Sequence, residues 1–186
     1  MNDRKDMQNL NARKFMVWLA ITSSFMLVAG LTSVFLISTS AGDVIHTQLP
    51  VVFIISTVVI LGSSGTLNVA GKCLKGLQNA KFHLYLKLTI ALGLLFMLLQ
   101  AVAWGTLLHQ KVYFDMHKSY QSFIYVFVAV HLLHIITGVA LLGYTLSGSL
   151  KNKPRYRVLY RMEMSATFWH FIDILWVYLY LFLMLK

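Results

Sequence analysis

Cysteine is almost missing from this chain: Cys73 is alone among 186 residues. An intrachain disulfide, a multi-cysteine metal centre and a covalent c-type haem attachment site are therefore excluded, and any redox cofactor would need histidines. Nucleophile motifs, glycine-rich phosphate loops and sequence repeats are absent too. A water-soluble core is equally foreign to the composition. At 58% hydrophobic residues and a mean hydropathy of +0.70, the chain falls outside the range of soluble domains and holds one compact membrane domain.

What is present is a set of long apolar runs. Five are long enough, at about 1.5 Å per residue, to cross about 30 Å of hydrocarbon as helices: 15–38, 49–69, 84–108, 123–146 and 167–185. The predicted fold is thus all-α, a bundle of five transmembrane helices, with a basic tail over 1–14 and one transmembrane domain over 15–186. The first run exceeds the 7–15 apolar residues typical of a signal peptide, so it reads as a retained span despite the small residues Ser40-Ala41-Gly42.

A net charge of +10 could suggest nucleic acid, but the cations lie in the tail and short loops rather than in a separate domain. Arg4, Lys5, Arg13 and Lys14 in the tail fall on one side, with Lys72, Lys75 and Lys81 in the second loop. Lys151, Lys153, Arg155, Arg157 and Arg161 in the fourth loop join them, against Lys111, Lys118 and Lys186 opposite. The positive-inside rule then places the N-terminus in the cytoplasm and the C-terminus on the far side. Such loops also suit anionic lipid headgroups.

The spans differ in what they carry. In the first, Trp18, Thr22, Ser23, Ser24 and Gly30 form a small polar face suited to close helix approach. Asp43 and His46 precede Leu49-Pro50, a helix-start signal without chemistry. Gly62-Ser63-Ser64-Gly65-Thr66-Leu67-Asn68 closes the second span with packing residues and self-bonding hydroxyls. Gln100, on a stripe with Gly93 and one turn before Trp104, reads as an interhelical hydrogen-bonding group.

The fourth and fifth spans carry ionisable groups. His131 and His134 share a helix face with Gly138, well inside the hydrocarbon, while Glu163, Thr167, His170 and Asp173 form a polar stripe running inward. An aspartate near the bilayer centre costs roughly 2.5–3.5 kcal/mol on insertion scales, so such residues usually face other helices and pair. Antiparallel packing of the two spans is expected to bring the stripes together, with Trp169, Trp176, Tyr178 and Tyr180 flanking them as packing and interface groups.

Three chemistries compete for these residues. His131, His134, His170 and Asp173 are chemically suited to zinc or iron, although the other histidines, His46, His83, His109 and His117, scatter to loops and span ends. His134 opposite His170 would make a bis-histidine haem site in a b-type cytochrome. The preferred reading is a satisfied polar cluster that clips helices together or grips a phospholipid headgroup, with no catalytic, cofactor or metal site on the chain. A small transporter using the stripe as a proton relay is weakened by the lack of an inverted repeat.

Taken in order, these residues resemble subunit III of the haem–copper terminal oxidases (cytochrome c oxidase and quinol oxidase), in the five-helix form. The Trp-x-x-x-x-Ser-Glu pattern of that family is approached by Trp18 to Ser24. Its Leu-Pro and Ser-Ser-x-Thr segments are approached by Leu49-Pro50 and Ser63–Thr66, and its Gly-x-x-Phe-x-x-x-Gln by Gly93, Phe96 and Gln100. His131-Leu132-Leu133-His134-Ile135-Ile136-Thr137-Gly138 matches His-x-x-His-Val-x-x-Gly, and Phe168 through Trp176 matches Tyr-Trp-His-Phe-Val-Asp-x-x-Trp; these last two blocks are the specific ones. Ser24 departs from the pattern, since many members hold a carbodiimide-reactive glutamate there, and no role of that acid transfers.

The resemblance implies an accessory subunit of a proton-pumping oxygen reductase in aerobic respiration, in a bacterial-type inner membrane. Haem and copper would reside in partner subunits. This chain would pack on subunit I, alongside subunit II and, in some complexes, a small subunit IV, hold phospholipid and support turnover and proton uptake. Lipid binding and helix clamping would fall to His131, His134, Glu163, Trp169, His170, Asp173 and Trp176, with Ser24, Ser63, Ser64 and Gln100 as polar packing groups. Glu163 and His170 are expected to lie closest to the cytoplasmic headgroups.

Overall fold

A computed structural model describes residues 2–39, 52–109, 119–151 and 154–184. Ser40–Gly42, Asp43, His46, Leu49, Pro50, His117 and the cations Lys111, Lys118, Lys153 and Lys186 lie outside the described residues. The side chains of Arg4, Lys5, Trp104 and His109 do as well.

The described chain forms five helices: α1 (Asn2–Thr39), α2 (Val52–Lys75), α3 (Asn79–His109), α4 (Ser119–Leu150) and α5 (Arg155–Met184). All five are long and apolar enough to span a membrane. Helix is the outcome physics requires, because hydrocarbon offers no partner to backbone N–H and C=O groups, and a helix satisfies them internally.

Several helices outrun the apolar segments. α5 starts at Arg155 rather than at 167, and α1 continues back through the basic tail to Asn2. Positive charge ends the hydrophobic run without ending the helix, since long basic side chains reach back to the interface while their stems stay in the apolar layer. Pro154 starts α5: its carbonyl accepts the N–H groups of Arg157 (2.9 Å) and Val158 (3.3 Å).

The α2–α3 connection is three residues, Gly76 to Gln78. Gln78 N donates to Cys73 O (3.0 Å) and Gly76 N to Lys72 O (2.9 Å), closing the end of α2 around Leu77. Leu77 has φ 63°, a left-handed conformation that costs a residue with a Cβ. The tight turn sets α2 and α3 antiparallel along their length.

α5 is the centre of the bundle and packs on α1, α2 and α4; α3 fills the space between α2 and α4. Among the described residues α1 packs on α4 and α5 and makes no close backbone approach to α2, so a groove runs between α1 and α2 with α5 as its floor. Two glycines let the side chains of α5's core-facing side come close to α3 and α4. At Gly93 a Cβ would come within 2.7 Å of Trp169 Cη2, and at Gly138 within 3.0 Å of Trp169 Cε3 and 2.8 Å of Ile172 Cδ1. The indole of Trp169 therefore occupies a slot that α3 and α4 leave open by carrying no side chain there.

Gly30, Gly62 and Gly65, which as small residues suggest tight contact, do none of this: a Cβ on any of them meets nothing within 4 Å. Small size marks where a helix can approach, not where one does.

Candidate functional site

The two ionisable stripes do not meet as expected. His134 turns to α1: its Nε2 lies 2.7 Å from Ser24 Oγ and its Nδ1 2.7 Å from Val130 O. A carbonyl only accepts, so Nδ1 carries the proton and, in the neutral ring, Ser24 donates to Nε2. Ser24 thus fastens α1 to α4.

His170 turns to α2. Its Nδ1 is 2.7 Å from Ser64 Oγ and its Nε2 is 3.2 Å from Asn68 Oδ1. Nε2 donates to the amide oxygen, and Ser64 supplies the proton to Nδ1 in the neutral ring. Asp173, one turn on, is 4% exposed and has its Oδ2 3.8 Å from His170 Nδ1. Neither of its carboxylate oxygens has a hydrogen-bond partner among the described residues.

The physical reason for the divergence is helix phase. Residues i and i+3 share a face, but the face of α4 carrying His134 is the one met by α1, whereas α5 presents Ile172 to Gly138 of α4. That leaves His170 and Asp173 toward α2.

His131 is buried away from both. Its ring stacks on Trp176 (4.9 Å between centroids, 27°) and meets the edge of Phe96 (5.9 Å, 78°), and neither ring nitrogen has a hydrogen-bond partner among the described residues. Gln100 donates to Ser56 Oγ (3.1 Å), while its carbonyl oxygen has no hydrogen-bond partner among the described residues. Gln100 is therefore an interhelical link between α3 and α2, with Ser56 as the partner.

Trp169 and Trp176 are core residues, not interface groups. Trp169 donates to Ser63 Oγ and Trp176 to Thr57 Oγ1, each at 3.0 Å. Trp176 also stacks on Phe53 (5.9 Å) and meets Phe96 edge-on (5.1 Å). A buried indole N–H needs an acceptor, and hydroxyls on α2 provide it. Tyr178 donates to Thr32 Oγ1 (3.3 Å), tying α5 to α1.

Several working residues escaped sequence reasoning. Asn68 was visible as the end of a polar run and stands one turn after Ser64, the signal that pairs them. Thr57, Ser56, Thr89, Thr145 and Ser165 gave no such signal, because each looks like an isolated hydroxyl until its partner helix is in place; Thr66, read as bonding back to its own backbone, does so at Ser63 O and also meets Thr89 (2.8 Å), while Thr145 meets Ser165 (2.9 Å).

Three clefts open on the groove between α1 and α2. One of about 340 Å³ at the end of the groove where α5 begins is bordered by Lys14, Trp18, Asn68, Tyr160, Glu163 and His170. One of about 310 Å³ lies along the α1 wall between Phe25 and Tyr178. One of about 460 Å³ lies along the α2 wall, where Ser64, Asn68, His170 and Asp173 meet. The exposed ridge of Ile174 borders the last two.

No group of three or more histidine, cysteine, aspartate or glutamate side chains placed to hold a metal occurs among the described residues. His134 and His170, the pair considered for haem, have all four ring nitrogens engaged with other groups, on different sides of the bundle.

The family model described as cytochrome c oxidase subunit III matches residues 10–185. The cytochrome bo(3) ubiquinol oxidase subunit 3 of Buchnera aphidicola subsp. Baizongia pistaciae is 27% identical over 179 residues, covering 90% of this chain and 88% of the relative. The cytochrome c oxidase subunit 3 of Bacillus subtilis is 27% identical over 168 residues, covering 88% and 81%. That of Coturnix japonica is 30% identical over 129 residues, covering 69% of this chain and 48% of the bird protein. With the match running from the first helix to the last, the chain belongs to the cytochrome c oxidase subunit III family and is a multi-pass membrane subunit of a terminal oxidase.

Proposed function

We propose that this chain is a non-catalytic, cofactor-free subunit of a proton-pumping haem–copper oxygen reductase in a bacterial inner membrane. Its N-terminus lies in the cytoplasm, and it packs on subunit I beside subunit II and, where present, a small subunit IV. The observation that carries the reading is the use made of the inward polar groups. The two indole N–H groups and the rings of His134 and His170 are spent on hydrogen bonds between helices of this chain, which leaves them structural work rather than ligation.

The cleft at the cytoplasmic end of the groove is the candidate phospholipid headgroup site. Lys14 suits a phosphate and Glu163 a polar headgroup substituent, His170 closes the inner end of the cleft while bonded to Ser64 and Asn68, and the apolar cleft along α1 from Phe25 to Tyr178 suits an acyl chain. A lipid filling this groove would stiffen α1, the helix with the smallest buried share, and support turnover and proton uptake in subunit I.

Purification in mild detergent through a tag on this chain, with mass identification of partners and a visible spectrum, tests the assignment. Co-purification of haem–copper subunit I is expected, and a Soret band from the isolated chain would overturn it in favour of a b-type cytochrome. Replacing His170 by leucine is expected to loosen subunit I or release a bound phospholipid; unchanged assembly and lipid content count against the headgroup site.

A further inference from the structure

Arg161 is a buried cation that this chain does not neutralise. It is 8% exposed; its guanidinium lies over the ring of Tyr144, 4.0 Å from the centroid, and against Gly148, where a Cβ would come within 2.6 Å of Nη1. Among the described residues it has neither a carboxylate partner nor a hydrogen bond. Glu163, two residues on, borders the groove cleft with Lys14 instead.

Arginine is always charged, and a charge taken out of water without a partner is costly. The face of Tyr144 and the C-terminal end of α4 suit one cation. The fold brings a second. Arg13 of α1 donates from Nη1 to Tyr144 Oη at 3.5 Å, so guanidinium groups from two helices converge on one tyrosine, a like-charge arrangement whose sign an anion between them would reverse. Arg13 and Arg161 fall just outside the apolar runs 15–38 and 167–185, and Tyr144 just inside 123–146. The group therefore stands at the hydrocarbon boundary, a level reached by phosphates of the bilayer and of the adjoining water alike. Guanidinium forks match phosphate oxygens two at a time.

We propose that Arg13 and Arg161, gathered on Tyr144, form a phosphate-binding site between α1, α4 and α5. Arg161 is the fixed fork, because Tyr144 and Gly148 seat it, and Arg13 closes on the anion from α1. A phosphate held there bridges α1 to the two helices beside it. The site is separate from the headgroup cleft: Lys14 borders the groove between α1 and α2, while Arg13, one step round the same helix, meets α4. It stands whether or not the accessory-subunit reading does.

The test offers phosphate from two sources to the protein purified with its complex. In nanodiscs of phosphatidylcholine and phosphatidylglycerol, native mass spectrometry counts the phospholipid molecules retained; in dodecyl maltoside, a detergent without phosphate, equilibrium dialysis measures binding of labelled inorganic phosphate. Arg161→Gln is expected to weaken retention in one of the two by about tenfold or more, as loss of hydrogen bonds from a charged donor implies, and the arm that responds names the source.

Arg13→Gln alters an exposed residue, so the fold should persist, and the same loss is expected. Combined with Arg161→Gln it should add little further loss, whereas Lys14→Gln should add its own. Binding unchanged by both arginine variants in both arms overturns the site. A loss confined to Arg161→Gln marks a folding defect and overturns it as well, and a Lys14→Gln effect that vanishes in the Arg161→Gln background overturns its separation from the groove.

Discussion

Replacing Gly93 by alanine should destabilise this subunit, although alanine is the better helix former. The added Cβ would stand 2.7 Å from Trp169 Cη2, 3.2 Å from Cζ2 and 3.3 Å from Val139 Cγ2. The indole cannot retreat, because its other edge lies against Gly138 of α4 and its N–H is held by Ser63. Overpacking of this kind costs about 1–3 kcal/mol, against which the helix gains about 1 kcal/mol when glycine becomes alanine. The net expectation is a loss of about 0–2 kcal/mol.

The sign should reverse once the slot is widened. Cη2 and Cζ2 belong to the six-membered ring of the indole, which phenylalanine does not project as far, so in a Trp169→Phe background Gly93→Ala retains only its helix gain of about 1 kcal/mol. Unfolding of the purified subunit in mixed micelles by SDS titration, followed by circular dichroism, measures all four corners of the cycle. Gly143→Ala, where the added Cβ meets nothing within 4 Å, reports the helix gain alone. An effect of Gly93→Ala that is the same in both backgrounds would refute the slot.

Three further expectations use the same measurement or a close relative of it. Leu77→Gly should stabilise the α2–α3 turn by about 1–2 kcal/mol by removing a Cβ from a left-handed residue, and a loss of stability would contradict the turn geometry. Ser24→Ala should cost about 0.6 kcal/mol, the average for polar contacts between membrane helices. In a cycle with His134→Phe the two changes should couple, and strict additivity would show that the 2.7 Å contact does not operate. Arg155 donates to Leu74 O (2.7 Å) and Lys75 O (3.1 Å) at the end of α2, so Arg155→Ala should speed amide exchange in the last turn of α2 and around Leu77, with α3 beyond Phe82 unaffected; unchanged exchange in that turn would remove the cap.

The order and number of the elements were legible because the bilayer imposes them. A long run such as 123–146 can only be a spanning helix, since hydrocarbon leaves its backbone no other partner, and the repeated spacing of His131, His134 and Gly138 pointed to one helix face. The last two motif blocks were specific enough to carry the family. Helix ends were less legible: the cations from Lys151 to Arg161 end an apolar run, but α5 begins among them at Arg155, because charge at an interface does not break a helix.

Which residues would be partners was not written in the chain. His134 and His170 look alike in sequence, each a histidine in an apolar helix, and reading them as one cluster required α4 and α5 to present their polar faces to each other. The rotation of each helix about its axis is chosen by the packing of the whole bundle, here by Trp169 entering the slot between Gly93 and Gly138. That rotation sends His134 to Ser24 and His170 to Ser64. The sequence by itself determined that five helices cross the membrane and that their buried polar groups must find partners; the tertiary structure alone decided the pairing, because phase between helices is a property of side-chain volumes meeting across an interface and not of spacing along one strand of chain.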